Sequence, residues 1–375
     1  MALEGLQLRS LVKQSGELEL SLAKVPVPDP APDEIVVRIE AAPINPSDLA
    51  LLIGPADAST LTASGSKDSP VVTGKVSEAA VRAVAARVGE SMPVGNEGAG
   101  VVVAAGSSPE AQKLMGKTVA ILGGAMFAQY RTVKAQTALP LPADATAAEG
   151  ASCFVNPLTA LAMVHVMRAE GHTALIHTAA ASNLGQMVNK ICLKDGVELI
   201  NIVRSDEQTQ ILRDIGAKHI VDSSKPDFMD SLVAAINATG ATLAFDAIGG
   251  GKLAGQILTA MEISLSSKLG AYNRYGSPTH KQVYIYGRLS LEPTILTASY
   301  GMAWGVGGFL ILPYLQKIGF AEAQKLRERI VAELKTTFAS RYTKTISIRE
   351  ALDIATIQAY NRKTTGEKYL INPTL

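Results

Sequence analysis

The sequence predicts an α/β protein in which a doubly wound parallel sheet is joined to a strand-rich region. Three observations carry this. From about 155 to 290, short apolar runs at 174–178, 198–203, 218–222, 241–246 and 283–287 alternate with helical stretches. That alternation implies right-handed crossovers and a parallel sheet with helices on both faces. Residues 174–204 read as strand, tight small-residue turn, helix and second strand, ending in a basic residue. The first 150 residues are instead rich in strands and turns. A chain of 375 residues is long enough for two domains with sizeable cores.

Taken in order, Glu17–Leu22 and Ile35–Ile39 alternate or run apolar, and Pro26, Pro28, Pro30 and Pro32 between them mark a loop. Residues 55–92 differ: a Ser/Thr/Gly/Asp-rich piece precedes an alanine- and valine-rich helical run at Ser77–Val88. Gly98–Ala105 and Thr118–Ile121 add two β-branched, glycine-bounded stretches. Ala174–His177 is too short an apolar run for a helix and is followed by Thr178 and three alanines. Beyond it, Leu184, Met187, Val188 and Ile191 recur at helical spacing, with Ser182 and Asn183 placed to cap the start. Gly196 breaks that pattern, and Leu199–Val203 supplies the next strand. After about 315 come a Lys/Glu-rich amphipathic helix (Glu322–Phe338), a second helix (Ile348–Asn361) and a closing strand (Lys368–Ile371). There is no internal repeat.

Composition removes several function classes. A hydrophobic share of 47% and a charged share of 18% fit a globular protein. The net charge of +1, with scattered Lys and Arg, leaves no basic footprint for nucleic acid. Two cysteines, Cys153 and Cys192, build neither a disulfide framework nor a four-thiolate metal site. Glu4, Arg9 and Lys13 interrupt any signal-peptide core, so cytoplasmic residence is the expectation. Pro293–Gln316 has no charged residue and is long enough to span a bilayer. Pro293, Pro313 and the glycines at 301, 305, 307 and 308 argue against one continuous spanning helix. A buried segment or a subunit interface is expected there, not a membrane span.

A strand feeding a helix through small residues lets backbone N–H groups approach a pyrophosphate, which a helix N-terminus favours electrically. Ser182, Asn183, Leu184 and Gly185 are the groups expected to do so. Only Gly185 remains of a G-x-G-x-x-G pattern, and a tight strand–helix turn needs no ligand. The end of the second strand shifts the balance. NAD sites place Asp or Glu there for the ribose 2′-hydroxyl, whereas here Val203 is followed by Arg204 and Ser205. A guanidinium forms charge-assisted bonds to a 2′-phosphate that a carboxylate would repel, which favours NADPH. The alternative is an ordinary exposed cation at a strand end. Asp246–Gly249, with Ile248, ends a strand at the sheet edge where ligands of open α/β folds lie. Its glycines either admit the cofactor closely or make a simple turn.

Several further segments resemble the medium-chain dehydrogenase/reductase superfamily, specifically its zinc-free quinone oxidoreductase branch. They are Ile44-Asn45-Pro46-Ser47-Asp48-Leu49, Gly95-Asn96-Glu97-Gly98-Ala99-Gly100, Asn156-Pro157-Leu158-Thr159-Ala160 and Phe245-Asp246-Ala247-Ile248-Gly249-Gly250. With the nucleotide turn they stand in the family's order from residue 10 to the C-terminus. The turn Thr178–Gln186 and the strand Asn201–Arg204 are similar to those of 2-enoyl thioester reductases, which use NADPH. The resemblance implies a GroES-like catalytic domain (1–154 and 318–375) around a Rossmann NADPH-binding domain (155–317), with the active site in the cleft between them. It also implies a homodimer, formed through Pro293–Gln316 or through the last Rossmann strand at Val283–Gly287.

The chain departs from the family in two ways. The segment 55–92 is longer than usual, and either shapes the substrate pocket or only lengthens a surface loop. Enoyl thioester reductases carry a tyrosine shortly after the Asn-Pro-Ser-Asp motif, but Ile53-Gly54-Pro55-Ala56-Asp57 has none. Tyr272, Tyr275 or Tyr286 are the candidates to replace it.

Zinc-dependent relatives need Cys, His and carboxylate ligands converging on one site. Their first cysteine falls here within Asn45–Asp48, and the histidine of their Gly-His-Glu motif is matched by Asn96. Cys153 cannot hold a metal alone, so no metal is expected. Polarisation of a substrate carbonyl then comes from hydrogen bonds, in a largely dry pocket. Asn45 is assigned as an amide donor toward the acceptor or the nicotinamide edge; otherwise it caps the helix that Pro46 begins. Thr159 is assigned by resemblance near the nicotinamide ribose or phosphate; otherwise it is an ordinary helical hydroxyl. Glu97 is expected to be a buried carboxylate fixing the bend Gly95–Gly100, and His177 a core residue. The function expected is NADPH-dependent, metal-free hydride transfer to a quinone or related α,β-unsaturated carbonyl. The alternatives are a 2-enoyl thioester reductase and a non-catalytic NADPH-binding protein.

Overall fold

The computed structural model describes residues 3–375 and divides into two compact units. One comprises the chain up to Val155 together with Arg329–Leu375; the other is Asn156–Glu328. The return to the first unit comes at Arg329 instead of 318. A helical stretch, Ile311–Ala332, runs through that point and bends at Gly319 (φ 81°).

The first unit is mostly β. Its antiparallel five-stranded sheet runs in the order Thr62–Gly65, Pro70–Lys75, Glu17–Pro26, Glu4–Val12, Ser91–Pro93. Alternation explains its burial: Leu18 and Leu20 enter the core while Glu17 and Glu19 stay partly exposed. A second sheet runs Leu139–Pro140, Thr118–Leu122, Glu97–Ala105, Glu34–Pro43, Tyr369–Asn372, Lys344–Ser347, with Tyr130–Lys134 also paired to Glu34–Pro43. The central pair, Glu34–Pro43 and Glu97–Ala105, shifts register twice. Gly100 sits where a Cβ would lie 1.9 Å from the Arg38 carbonyl oxygen, so only glycine fits.

The longer segment 55–92 contributes the two edge strands of the first sheet. Its expected helix over Ser77–Val88 breaks at Val84 (φ −114°, ψ 26°) into Glu78–Ala83 and a single turn, Ala85–Arg87. Val81, Val84 and Val88 pack against the core, and Arg87 turns inward to donate to Ser10 Oγ at 2.9 Å. The break serves both contacts. Near the C-terminus the expected Ile348–Asn361 helix starts only at Ile354, where the Asp353 carboxylate caps it by accepting from Thr356 N. The expected Glu322–Phe338 helix belongs to Ile311–Ala332 and ends six residues early, in a turn beneath buried Leu334 and Phe338.

The second unit holds a six-stranded parallel sheet: β1 Ala174–His177, β2 Glu198–Val203, β3 His219–Asp222, β4 Leu243–Asp246, β5 Lys281–Ile285 and β6 Trp304–Gly308. The spatial order β3-β2-β1-β4-β5-β6 reverses between β1 and β4, the point where such sheets leave a crevice for ligands. Ile176, Ile200, Ile202, Ala244 and Val283 form its core with helices Phe228–Thr239 and Leu253–Ser266. β6 was not among the expected strands; Gly305, Gly307 and Gly308 dilute its apolar pattern.

The expectation that Pro293–Gln316 is buried does not hold within the chain. β6 is an edge strand, and Met302, Leu310 and Leu312 around it are 75%, 65% and 51% exposed. Among the described residues no helix is long and apolar enough to cross a membrane.

Candidate functional site

In the second unit the helix Asn183–Asp195 begins directly beyond β1. Ser182 caps it: its Oγ accepts from Gly185 N at 3.1 Å. The preceding turn tightens through Ala179, which adopts φ 49°. A Cβ on Gly185 would lie 2.2 Å from the Ala180 carbonyl oxygen. Gly185 is thus required for close packing of turn on helix, and its own N–H is engaged by Ser182. Ser182 N is engaged as well, donating to Ala179 O at 2.9 Å, so the turn before this helix is held by its own backbone and cap.

At the carboxyl end of β2, Ser205 caps the next helix, Asp206–Asp214, by accepting from Gln208 N at 3.3 Å. Arg204 just before it is exposed, and its guanidinium makes no ion pair among the described residues. The nearby Asp206 carboxylate is matched instead by Lys225, at 3.1 Å.

At the carboxyl end of β4, Asp246 is buried. Its Oδ1 accepts from Thr178 Oγ1 (2.7 Å) and Ile248 N (2.9 Å), and its Oδ2 from Gly249 N (3.1 Å). Thr178 Oγ1 accepts in turn from Ala247 N at 2.8 Å. This knot ties the ends of β1 and β4 together at the switch point. Gly249 (φ 76°) passes so close to Gly287 that a Cβ would lie 2.6 Å from its carbonyl oxygen. Asp246, Ile248 and Gly249 therefore use these polar groups on one another.

Beneath this rim His177 Nε2 meets Tyr286 Oη at 2.8 Å with the rings stacked. Burial lowers the His177 pKa to about 3, so the imidazole is neutral. Of the tyrosines considered as proton donors, Tyr286 is held by His177. Tyr272 is 93% exposed, and Tyr275 is on the same surface loop beside Arg274. Thr159 is buried on the helix Val155–Ala169.

The first unit gathers a second group of polar side chains. Strand Glu34–Pro43 leads into Asn45, the N-cap residue of the helix Pro46–Leu52. The Asp48 carboxylate accepts from Asn45 N and from Asn96 N, each at 2.8 Å. Asn45 Nδ2 donates to Glu97 Oε1 at 2.8 Å, and Glu97 Oε2 accepts from Phe154 N and Val155 N. A carboxylate only accepts, so the Asn45 amide nitrogen faces Glu97. Asn45 Oδ1 is buried without a hydrogen-bond partner. The amide nitrogen that the sequence reading assigns as a donor to a ligand is thus engaged by Glu97 in this structure. Asn45, Asp48 and Glu97 are 1%, 1% and 0% exposed. Burial pushes the Asp48 carboxyl up to about 7 and raises Glu97 as well.

The C-terminal strand closes this group. Ile44 N donates to Tyr369 O at 2.9 Å, with Leu370 opposite Pro43, which sets Lys368 beside Asn45 on the wall of one small cavity. Lys368 Nζ donates to Ser152 Oγ at 2.7 Å, and that oxygen is 2.9 Å from Tyr342 Oη. Sequence reasoning missed Lys368, Ser152 and Tyr342, because residues this far apart along the chain meet only through the tertiary fold. Asn96 Nδ2 donates to Ser47 Oγ at 3.0 Å. Among the described residues no three His, Cys, Asp or Glu side chains gather as metal ligands.

No family model matches the chain. It is 29% identical over 247 residues to the mitochondrial enoyl-[acyl-carrier-protein] reductase of Xenopus tropicalis, covering 62% of this chain and 60% of that protein. It is 24% identical to prostaglandin reductase-3 of Bos taurus, over 91% of this chain and 82% of the relative. Among solved structures, Escherichia coli quinone oxidoreductase complexed with NADPH superposes with a TM-score of 0.69 at 16% identity, covering 99% of this chain and 100% of that one. A mutant form of the enoyl thioester reductase from Candida tropicalis gives 0.66 at 18%, covering 99% and 100%. These likenesses agree with a Rossmann-type sheet in one unit and a GroES-like fold in the other. The chain is thus similar in sequence to enoyl, prostaglandin and quinone reductases, spans about 60% of the frog relative, and shares its fold with solved quinone and enoyl thioester reductases.

Proposed function

We propose that this protein is an NADPH-dependent reductase of quinones or related α,β-unsaturated carbonyls that works without a metal. The observation that carries the cofactor is Arg204: an exposed guanidinium with no carboxylate partner at the end of β2. It lies in the unit whose small-residue turn opens a helix at the switch point. The residues fit a dinucleotide: Ser182, Asn183 and Leu184 offer a helix start to the pyrophosphate, and Arg204 with Ser205 suits the 2′-phosphate. The Asp246–Gly249 knot gives the crevice a wall of backbone. Bound NADPH supplies a hydride.

Asn45 of the first unit is the group assigned to a polar atom of the acceptor, and Thr159 is the hydroxyl assigned to the cofactor bound by the second unit. Amides and a hydroxyl at Asn45, Ser47 and Asn96 make a poor zinc ligand set, which favours polarisation by hydrogen bonds. A quinone suits such a site because its two carbonyls delocalise incoming charge. Enoyl thioester reduction is the second reading, supported by the frog relative and by a structural neighbour described as a complex with NADP and crotonyl-CoA.

Incubating the protein with NADPH and either 1,4-benzoquinone or crotonyl-CoA tests both. Oxidation of NADPH by the quinone supports the first reading, and by the thioester alone the second. Tight NADPH binding without oxidation by either would make the protein a non-catalytic NADPH binder. The exposed apolar edge at β6 favours a homodimer through that strand, which sedimentation would detect.

A further inference from the structure

We propose that Lys368 is the proton donor of the reduction, with Ser152 and Tyr342 relaying its replacement. This rests on the reductase reading above and names the group that the missing tyrosine leaves unassigned. Lys368 shares a cavity wall with Asn45, whose Oδ1 is buried and unpartnered. Its Nζ has a hydroxyl path behind it: Ser152 Oγ at 2.7 Å, then Tyr342 Oη at 2.9 Å, with the ammonium 5.5 Å from the Tyr342 ring centre.

When hydride reaches the β-carbon of an enone, the C=C pair becomes an enolate. One Nζ–H bond of Lys368 then breaks, its proton forms the new bond on the enolate, and the neutral amine is recharged from solvent through Ser152. NADPH is the reductant, and atoms and charge balance. Burial brings the Lys368 ammonium down to about 8, against the opposing pull of Glu97 and Asp48. Lys363, Glu367, Tyr360 and Tyr369 are the other titratable groups on that cavity.

Turnover of cyclohexenone and of benzoquinone is measured for the full chain and for Lys368→Met and Lys368→Arg, from about pH 6 to about pH 10. Arginine keeps the charge but holds its proton. Both variants should lose about 10²- to 10³-fold in kcat with the enone, and less than about tenfold with the quinone, whose oxyanions take protons from water. In ¹³C-dimethyl-lysine spectra of the unliganded protein, a signal absent from Lys368→Arg should titrate near 8 and move lower in Glu97→Gln. Unaltered enone turnover in Lys368→Met, rescue by arginine, or a Lys368 signal titrating above about 10 overturns the assignment alone. If the wild type reduces neither acceptor, the reductase reading fails and takes this assignment with it.

Discussion

Replacing Arg204 by alanine removes the cation that β2 delivers at its carboxyl end. The guanidinium is exposed, so water-like screening applies to its interactions. A 2′-phosphate carries about −1.5 to −2 at neutral pH. At roughly 4 Å in water-like surroundings each unit of charge contributes about 1 kcal/mol. The loss is then about 1.5–2 kcal/mol, or about 10- to 30-fold in Kd. Asp206 adds little opposing charge, since Lys225 matches it at 3.1 Å. Titration of the Arg204→Ala protein with NADPH and NADH, by ligand fluorescence or calorimetry, measures the effect directly. The NADPH Kd should rise by that factor while the NADH Kd changes less than about twofold, and the gap should shrink as salt is added. Equal losses for both cofactors, or none for either, would refute the reasoning.

Gly185→Ala drives a Cβ to 2.2 Å from the Ala180 carbonyl oxygen; about 1–3 kcal/mol of stability and much of the NADPH affinity should go, and an unchanged Tm would contradict the packing role. Thr178→Val removes the hydroxyl that joins Asp246 to Ala247 N. Leaving those buried groups short of a partner should cost about 1–3 kcal/mol in urea unfolding. His177 is held neutral with its pKa lowered to about 3, so protonation favours the unfolded chain. Its contribution is complete above the unfolded value of about 6.5 and fades as pH falls toward 3. The wild type should therefore lose about 1.4 kcal/mol per pH unit more than His177→Phe between about pH 6 and pH 4. Parallel stability curves for the two proteins would count against a buried neutral imidazole.

Much of the second unit was readable along the chain. Ser182 and Ser205 cap helices where sequence alone put a cap or a strand end, and Gly196 ends a helix in the left-handed conformation. Asp353 caps the last helix in the structure, but the apolar pattern that runs from Ile348 hid that later start. β6 escaped notice because glycine occupies three of its five positions. The uncharged stretch around it reads as core by composition, although an edge strand can be just as apolar while facing outward.

Sequence by itself determined what depends on near neighbours: the alternation that makes a parallel sheet, the small-residue turn, and a basic residue in place of a carboxylate after the second strand. Tertiary structure alone decided the company of Asn45. Pairing Leu370 with Pro43 brings Lys368 to it, and folding adds Glu97, Ser152 and Tyr342 from three other places. Burial then moves Asp48 up to about 7 and Lys368 down to about 8. No residue carries those properties in its identity, because the energy of a charge depends on the solvent and the charges that the fold leaves around it.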